Sequence, residues 1–306
     1  MTPDPTAADL PMVDAHVHFW DPTKHYYPWL NDEPMIPFRY GDYSAIRRPY
    51  YPAEHLADAR SHGHNIVKTV YLEAEWDPKD PIGEMEFIAE LRKETGSPDV
   101  AVAQAWLDRA DVAPVLERHA QFPFVRGVRQ KPRANASPRD GRPGSMMDST
   151  WREGFTRLKP LGLRFDLQTP WWHLHEAVDL AHSFPDTQII LLHSGLPADR
   201  SREGIEAWKK QMAGLAQAPN VAAKISGIGV PGAPWTVERN REIVLTIIDL
   251  FGPERCMFAS NFPVDSVCGS LDAIFGGYKT ITAGFSAAER KKMFHDNAIG
   301  FYAIGA

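Results

Sequence analysis

The residues with the clearest chemical spacing are His16 and His18, in the stretch Val13-Asp14-Ala15-His16-Val17-His18. If this apolar run is a strand, side chains two apart share a face, and both imidazoles aim the same way. Paired neutral imidazoles can ligate a divalent metal, polarise a carbonyl or accept a proton. By themselves they are equally the polar end of a strand. Other reactive groups also follow short apolar runs. Glu73 and Glu75 follow one such run, and Arg126, Arg129 and Lys131 another. Asp166 and Gln168, Lys224 and Ser226 end two more. His193 closes a run before Ser-Gly-Leu-Pro, and Ser260 and Asn261 precede Phe-Pro-Val-Asp265.

The runs predict eight strands, at 11–17, 65–75, 100–108, 124–130, 162–168, 187–193, 220–226 and 256–260. Most lack strict alternation, as strands buried on both faces do. Segments of helical spacing lie between them, at 84–96, 175–184, 204–218 and 240–252, with Gly96 and Gly252 at C-cap positions. A further helix is predicted near 52–62. Strands alternating with helices, and no Gly-x-Gly-x-x-Gly after the first strand, predict an α/β chain folded as a single (β/α)8 TIM barrel. The domain so predicted spans residues 1–306, with a flexible N-terminus at 1–10. Loops at 19–64 and 131–150 are expected over the barrel mouth. Active sites of this fold lie at the C-terminal ends of the strands, where the reactive groups fall.

Composition narrows the partners. Net charge is -6 and the pI about 6.1, which disfavours nucleic acid and anionic membranes, since both select basic faces. Two cysteines fit a reducing compartment. No apolar run approaches membrane-spanning length, and the N-terminal stretch lacks the basic and apolar regions of a signal peptide. The expected setting is cytoplasmic and the expected partner a small molecule. A homo-oligomer is compatible with the sequence.

The ordered set resembles the amidohydrolase superfamily: His-x-His after the first strand, a histidine after the sixth, and an Asn-Phe-Pro turn after the eighth. The phrases VDAHVHFWDP, HSGLP and SNFPVD are similar to those of its amidohydrolase-related (amidohydrolase 2) branch, especially the sugar-acid and dicarboxylate lactonases. The resemblance runs from about residue 12 to 302. It implies a barrel hydrolase, with His16, His18 and His193 around the substrate carbonyl. That family usually has aspartate where Asn261 stands. An amide cannot take a proton from water, so the base must be Asp265, Glu75, Asp166 or a metal hydroxide. Asn261 can instead donate to an oxyanion or orient water. Asp265 can alternatively cap the following helix.

Two cofactor readings stand side by side. In one, His16, His18, His193 and Glu75 hold a single Zn²⁺, which lowers the pKa of bound water. In the other, no metal is bound. Arg129 and Lys131 suit a substrate carboxylate. Glu75, Gln168, Trp76 and Trp172 are further substrate-binding candidates, the tryptophans supplying a wall for a ring. The function read from these residues is opening of a carboxylated or polyhydroxylated lactone. The alternatives are a mononuclear-metal amidohydrolase or a non-oxidative decarboxylase of a small ring acid, and then a ligand-binding barrel without catalysis.

Overall fold

A computed structural model describes residues 10–305. The flexible stretch expected at 1–10 lies outside the described residues, apart from Leu10. Eight parallel strands pair in sequence order. They are β1 (Met12–Val17), β2 (Ile66–Leu72), β3 (Val100–Gln104), β4 (Val125–Gln130), β5 (Arg164–Leu167), β6 (Ile189–Leu191), β7 (Val221–Ile225) and β8 (Cys256–Phe258). The seam between β8 and β1 is drawn together by two backbone hydrogen bonds, His18 N to Phe262 O at 2.8 Å and Asn261 N to His16 O at 2.9 Å. The result is the TIM barrel that the sequence predicts.

Apolar residues on both faces explain the missing alternation. Val13, Ala15, Val70, Leu72, Val102, Ile190, Ala222 and Met257 form an inner cluster. Met12, Val17, Tyr71, Ala101, Phe165 and Leu191 belong to a second cluster beneath the helices. The helices start and stop where local chemistry directs. Ser201, Thr236, Ser270 and Ser286 accept backbone N–H groups at helix N-termini. Gly96 and Gly252 end helices at φ 75°, a region that favours glycine.

The end of the chain closes the bottom of the barrel. Helical segments over 292–301 pack against β8 and β1, and Ala298, Tyr302 and Ile304 join the inner cluster. Arg164 donates from Nε to Phe301 O at 2.8 Å, and Arg126 to Ala303 O at 3.3 Å. Arg126 therefore serves the barrel floor and is not part of a cationic cluster at the mouth. It stands near the start of β4, four strand steps before Gln130.

The long segment between β1 and β2 packs its aromatic residues into the cluster beneath the helices. Trp20 and Tyr50 exchange backbone hydrogen bonds at 3.1 and 2.9 Å. Trp29 packs edge-on to Trp20 and stacks with Phe38, with ring centroids 5.4 and 5.9 Å apart. The helix Pro52–Ser61 follows, near the position expected.

Candidate active site

Strict alternation from Val13 and Ala15 would send His16 outward. Instead the pairing of β1 with β2 shifts register between Asp14 and Val17, and a bulge of this kind re-aims a side chain. Asp14 faces the other way and anchors the irregularity. One of its oxygens accepts from Ser260 N at 2.9 Å and His16 N at 3.3 Å. The other accepts from Ser260 Oγ at 2.5 Å and lies 3.1 Å from His55 Nε2. The first and last strands are thus clasped beside the two histidines.

His18 Nδ1 meets the Leu72 carbonyl at 2.8 Å. A carbonyl only accepts, so Nδ1 carries the proton and Nε2 presents a lone pair. His16 Nε2 lies 3.2 Å from His18 Nε2. Burial holds all three histidines neutral. It lowers His16 well below the imidazole range, with His193 adding to the effect. His18 falls to about 3 through burial and the nearby Arg129 charge. His193 is lowered by burial and by Arg39. Its Nδ1 meets Ser226 Oγ at 3.0 Å, leaving Nε2 for the cavity.

Asn261 donates from Nδ2 to Asp265 Oδ1 at 2.6 Å, which turns its Oδ1 towards His18 Nε2, 3.4 Å away. At this site Asn261 offers an acceptor, which suits orienting water, one of the two roles expected from the sequence. Asp265 sits behind it, 1% exposed. Burial raises its carboxyl to about 6, against the pull of Arg39. Asp265 caps no helix; Ser270 does that for Leu271–Ile281.

A cavity of about 320 Å³ opens above these groups. His18, His193, Glu75, Arg129, Lys131, Gln168 and Asn261 line it. His16 lies beneath, its ring centroid 4.6 Å from that of His193. Among the described residues, six non-glycine residues have positive φ. Five of them, Glu75, His193, Ser194, Leu196 and Asn261, follow β2, β6 and β8 at the mouth. Backbone held in that region is costly and clusters at functional sites.

Much of the charge at the mouth is already paired. Arg129 donates from Nε to the buried Glu73 carboxylate and from Nη2 to Glu73 O at 2.6 Å. Burial opposes the Arg129 charge, but Glu73 and Glu75 hold its pKa above the usual value. Lys131 is bound to Glu75. Burial opposes ionisation of Glu75, yet Lys131 and Arg129 keep its pKa low. Asp166 lies beneath the site, accepting from Lys224 Nζ at 2.9 Å and Tyr302 Oη at 2.6 Å.

Two expected aromatic contacts are elsewhere. Trp76 packs on His25, Tyr27 and Phe87, and Trp172 donates to Asn135 O at 3.0 Å. Trp20, Trp29 and Phe38 line the cavity in their place, with Arg39. Nothing in the spacing of Phe38 and Arg39 marks them out, because the fold of their loop brings them to the mouth.

The spacing of His16 Nε2 and His18 Nε2 suits two nitrogens on one ion at about 2.0–2.1 Å. Two imidazoles alone do not complete a zinc site. Among the described residues no group of three or more His, Cys, Asp or Glu gathers to hold a metal. Glu75 is engaged with Lys131, so the four-ligand set expected from the sequence is not assembled.

Eight parallel strands carrying a histidine pair, a third histidine and a polar cavity at their C-terminal ends define a barrel enzyme centre of the amidohydrolase type. The chain belongs to the Amidohydrolase family (Amidohydro_2), whose model matches residues 13–304. It is 42% identical to the uncharacterised protein y4mH of Sinorhizobium fredii, over 97% of this chain and all of that protein. It is 26% identical to an L-fucono-1,5-lactonase of Burkholderia multivorans, over 95% of this chain and 96% of the relative. A crystal structure of an amidohydrolase from Burkholderia multivorans with bound zinc superposes with a TM-score of 0.77 at 22% identity, covering 96% of this chain and 99% of that one. No helix among the described residues is long and apolar enough to cross a membrane.

Proposed function

We propose that the chain is a hydrolase that opens the ring of a carboxylated or polyhydroxylated lactone. One observation carries this reading: a single cavity combines an aromatic wall of Trp20, Trp29 and Phe38 with His18, His193 and the cations Arg129 and Lys131. The wall suits a ring, and the imidazoles suit attack of water on a carbonyl. The L-fucono-1,5-lactonase similarity supports the same substrate class.

In this mechanism His18 Nε2 takes a proton from water as the water oxygen bonds to the lactone carbonyl carbon. Asn261 Oδ1, 3.4 Å away, accepts from the protonated ring, while the forming oxyanion offsets the burial and the Arg129 charge that keep the resting imidazole neutral. His16, packed edge-on against it with ring centroids 4.9 Å apart, holds the His18 ring in place. His193 Nε2 and the charges of Arg129 and Lys131 stabilise the oxyanion. The ring C–O bond then breaks, and the leaving alkoxide takes the proton from His18, giving a hydroxy acid. Asp166 and Asp265 do not line the cavity and serve as neither base nor ligand. No step runs through a metal.

The test is acid release from a panel of sugar-acid and dicarboxylate lactones, followed with a pH indicator. Turnover is expected to fall at least 100-fold in His18→Ala and no more than about tenfold in Glu75→Gln. The reverse order would move the base to Glu75. No acid release from any lactone, with CO₂ released from aromatic acids, would replace the hydrolase reading with a decarboxylase. Dialysis against a chelator is expected to leave lactone turnover within about twofold of its starting value; loss restored by zinc would return the metal to the mechanism.

A further inference from the structure

Arg39 enters the cavity from the long first loop, where Ile36, Pro37, Phe38 and Arg39 line the mouth in succession. Its guanidinium stacks over the Tyr40 ring, 4.6 Å from the centroid. Its anionic neighbour Asp265 lies at 3.7 Å, beyond hydrogen-bond reach. Arg39 Nη1 is buried and makes no hydrogen bond among the described residues. The side chain as a whole is 28% exposed at the mouth, so a guanidinium held by its stack and only loosely matched by Asp265 can take an acceptor that arrives from outside.

The other cations of the cavity lack that freedom. Arg129 spends Nε and Nη2 on Glu73 and places Nη1 3.3 Å from Gln168 Oε1. Lys131 is paired with Glu75. Arg39 also shares its ground with the reactive groups. A Cβ built on Gly227 would stand 2.4 Å from His193 Nδ1 and 2.9 Å from Arg39 Nη2. The guanidinium and the imidazole therefore rest on one patch of backbone.

We propose that Arg39 is the specificity residue of this pocket, binding the carboxylate of a ring-shaped monoanionic substrate while the ring lies against Trp29 and Phe38. This rests on the hydrolase reading above and narrows it from carboxylated or polyhydroxylated lactones to the carboxylated ones. A guanidinium fork matches a carboxylate with two parallel N–H donors. A phosphate dianion would ask for a second loosely held cation, and Arg129 and Lys131 are closely matched by Glu73 and Glu75.

The test is a calorimetric titration with benzoate and with benzamide, which has the same ring and no charge. Wild type, Arg39→Gln and Arg39→Lys are compared as full chains, with melting temperatures measured alongside. Wild type is expected to bind benzoate at least tenfold more tightly than benzamide. Arg39→Gln should erase that preference and leave benzamide affinity unchanged, and Arg39→Lys should restore part of it. Equal affinity for both probes in wild type overturns the proposal, as does a preference that survives in Arg39→Gln. The titration needs no turnover. An Arg39-dependent preference in a protein inert on every lactone therefore counts against the hydrolase reading alone.

Discussion

Asn261 and Asp265 form a buried amide–carboxylate pair where related barrels usually place an acid. With Asn261 Nδ2 only 2.6 Å from Asp265 Oδ1, Asn261→Asp would set two carboxyl groups in contact, and like charges so close cannot both ionise. We expect Asn261→Asp to lose about 2–3 kcal/mol at pH 8 and distinctly less at pH 5, where a shared proton bridges the pair. Adding Asp265→Asn to the same chain should restore most of the loss. Urea unfolding at both pH values checks this; equal destabilisation at the two would show that charge is not the cause. Asp265 also gives wild type a pH dependence of definite sign. Its folded pKa, about 6, lies above the ordinary 3.8, so folding favours the protonated form. The contribution is complete below about pH 4, fades as pH rises through 6 and is level above that. Its ceiling is on the order of 3 kcal/mol. In Asp265→Asn the slope of stability between pH 4 and 7 should flatten, and an unchanged slope would assign it to another group.

At the scale of the elements, Gly227 after β7 holds φ 60° against the His193 ring. Gly227→Ala is expected to push His193 off Ser226, with turnover falling at least tenfold and about 1–3 kcal/mol of stability lost. A variant crystal structure with His193 unmoved would contradict this. The same scale shows what could be read in advance. All eight strands fall inside the apolar runs, because a strand covered on both faces is mostly apolar. His18, His193, Glu75, Arg129, Lys131, Gln168 and Asn261 were legible because strand ends in a barrel converge on one mouth. Other features depend on contacts that no local pattern encodes. The bulge that brings His16 inward is fixed by Asp14 reaching Ser260, 246 residues away. β2 ends at Leu72, three residues short of Glu75, and the turn that follows carries Trp76 under the helix Gly83–Thr95, against Phe87. Trp20 and Trp29 have the same chemistry and take the wall, because their loop folds over the opening.

For the whole molecule, the barrel interior carries a buried polar node. Tyr302 rises from the floor to Asp166, which also holds Lys224. Burial lowers Lys224 to about 8, with Asp166 pulling the other way. Tyr302→Phe would remove one donor from a carboxylate that already has an unpartnered oxygen. It is expected to cost about 1–3 kcal/mol without moving the affinity for a cavity ligand. Thermal melts and a benzoate titration check both halves, and a loss of affinity would tie the floor to the mouth. The clasp between β1 and β8 has a consequence during synthesis. Neighbouring strands can pair as each emerges from the ribosome, but His18 and Asn261 stand on opposite sides of the one seam that joins the two ends. The pocket is therefore the last part of the molecule to come into being, and a nascent chain holding seven strands has almost every reactive residue and no site.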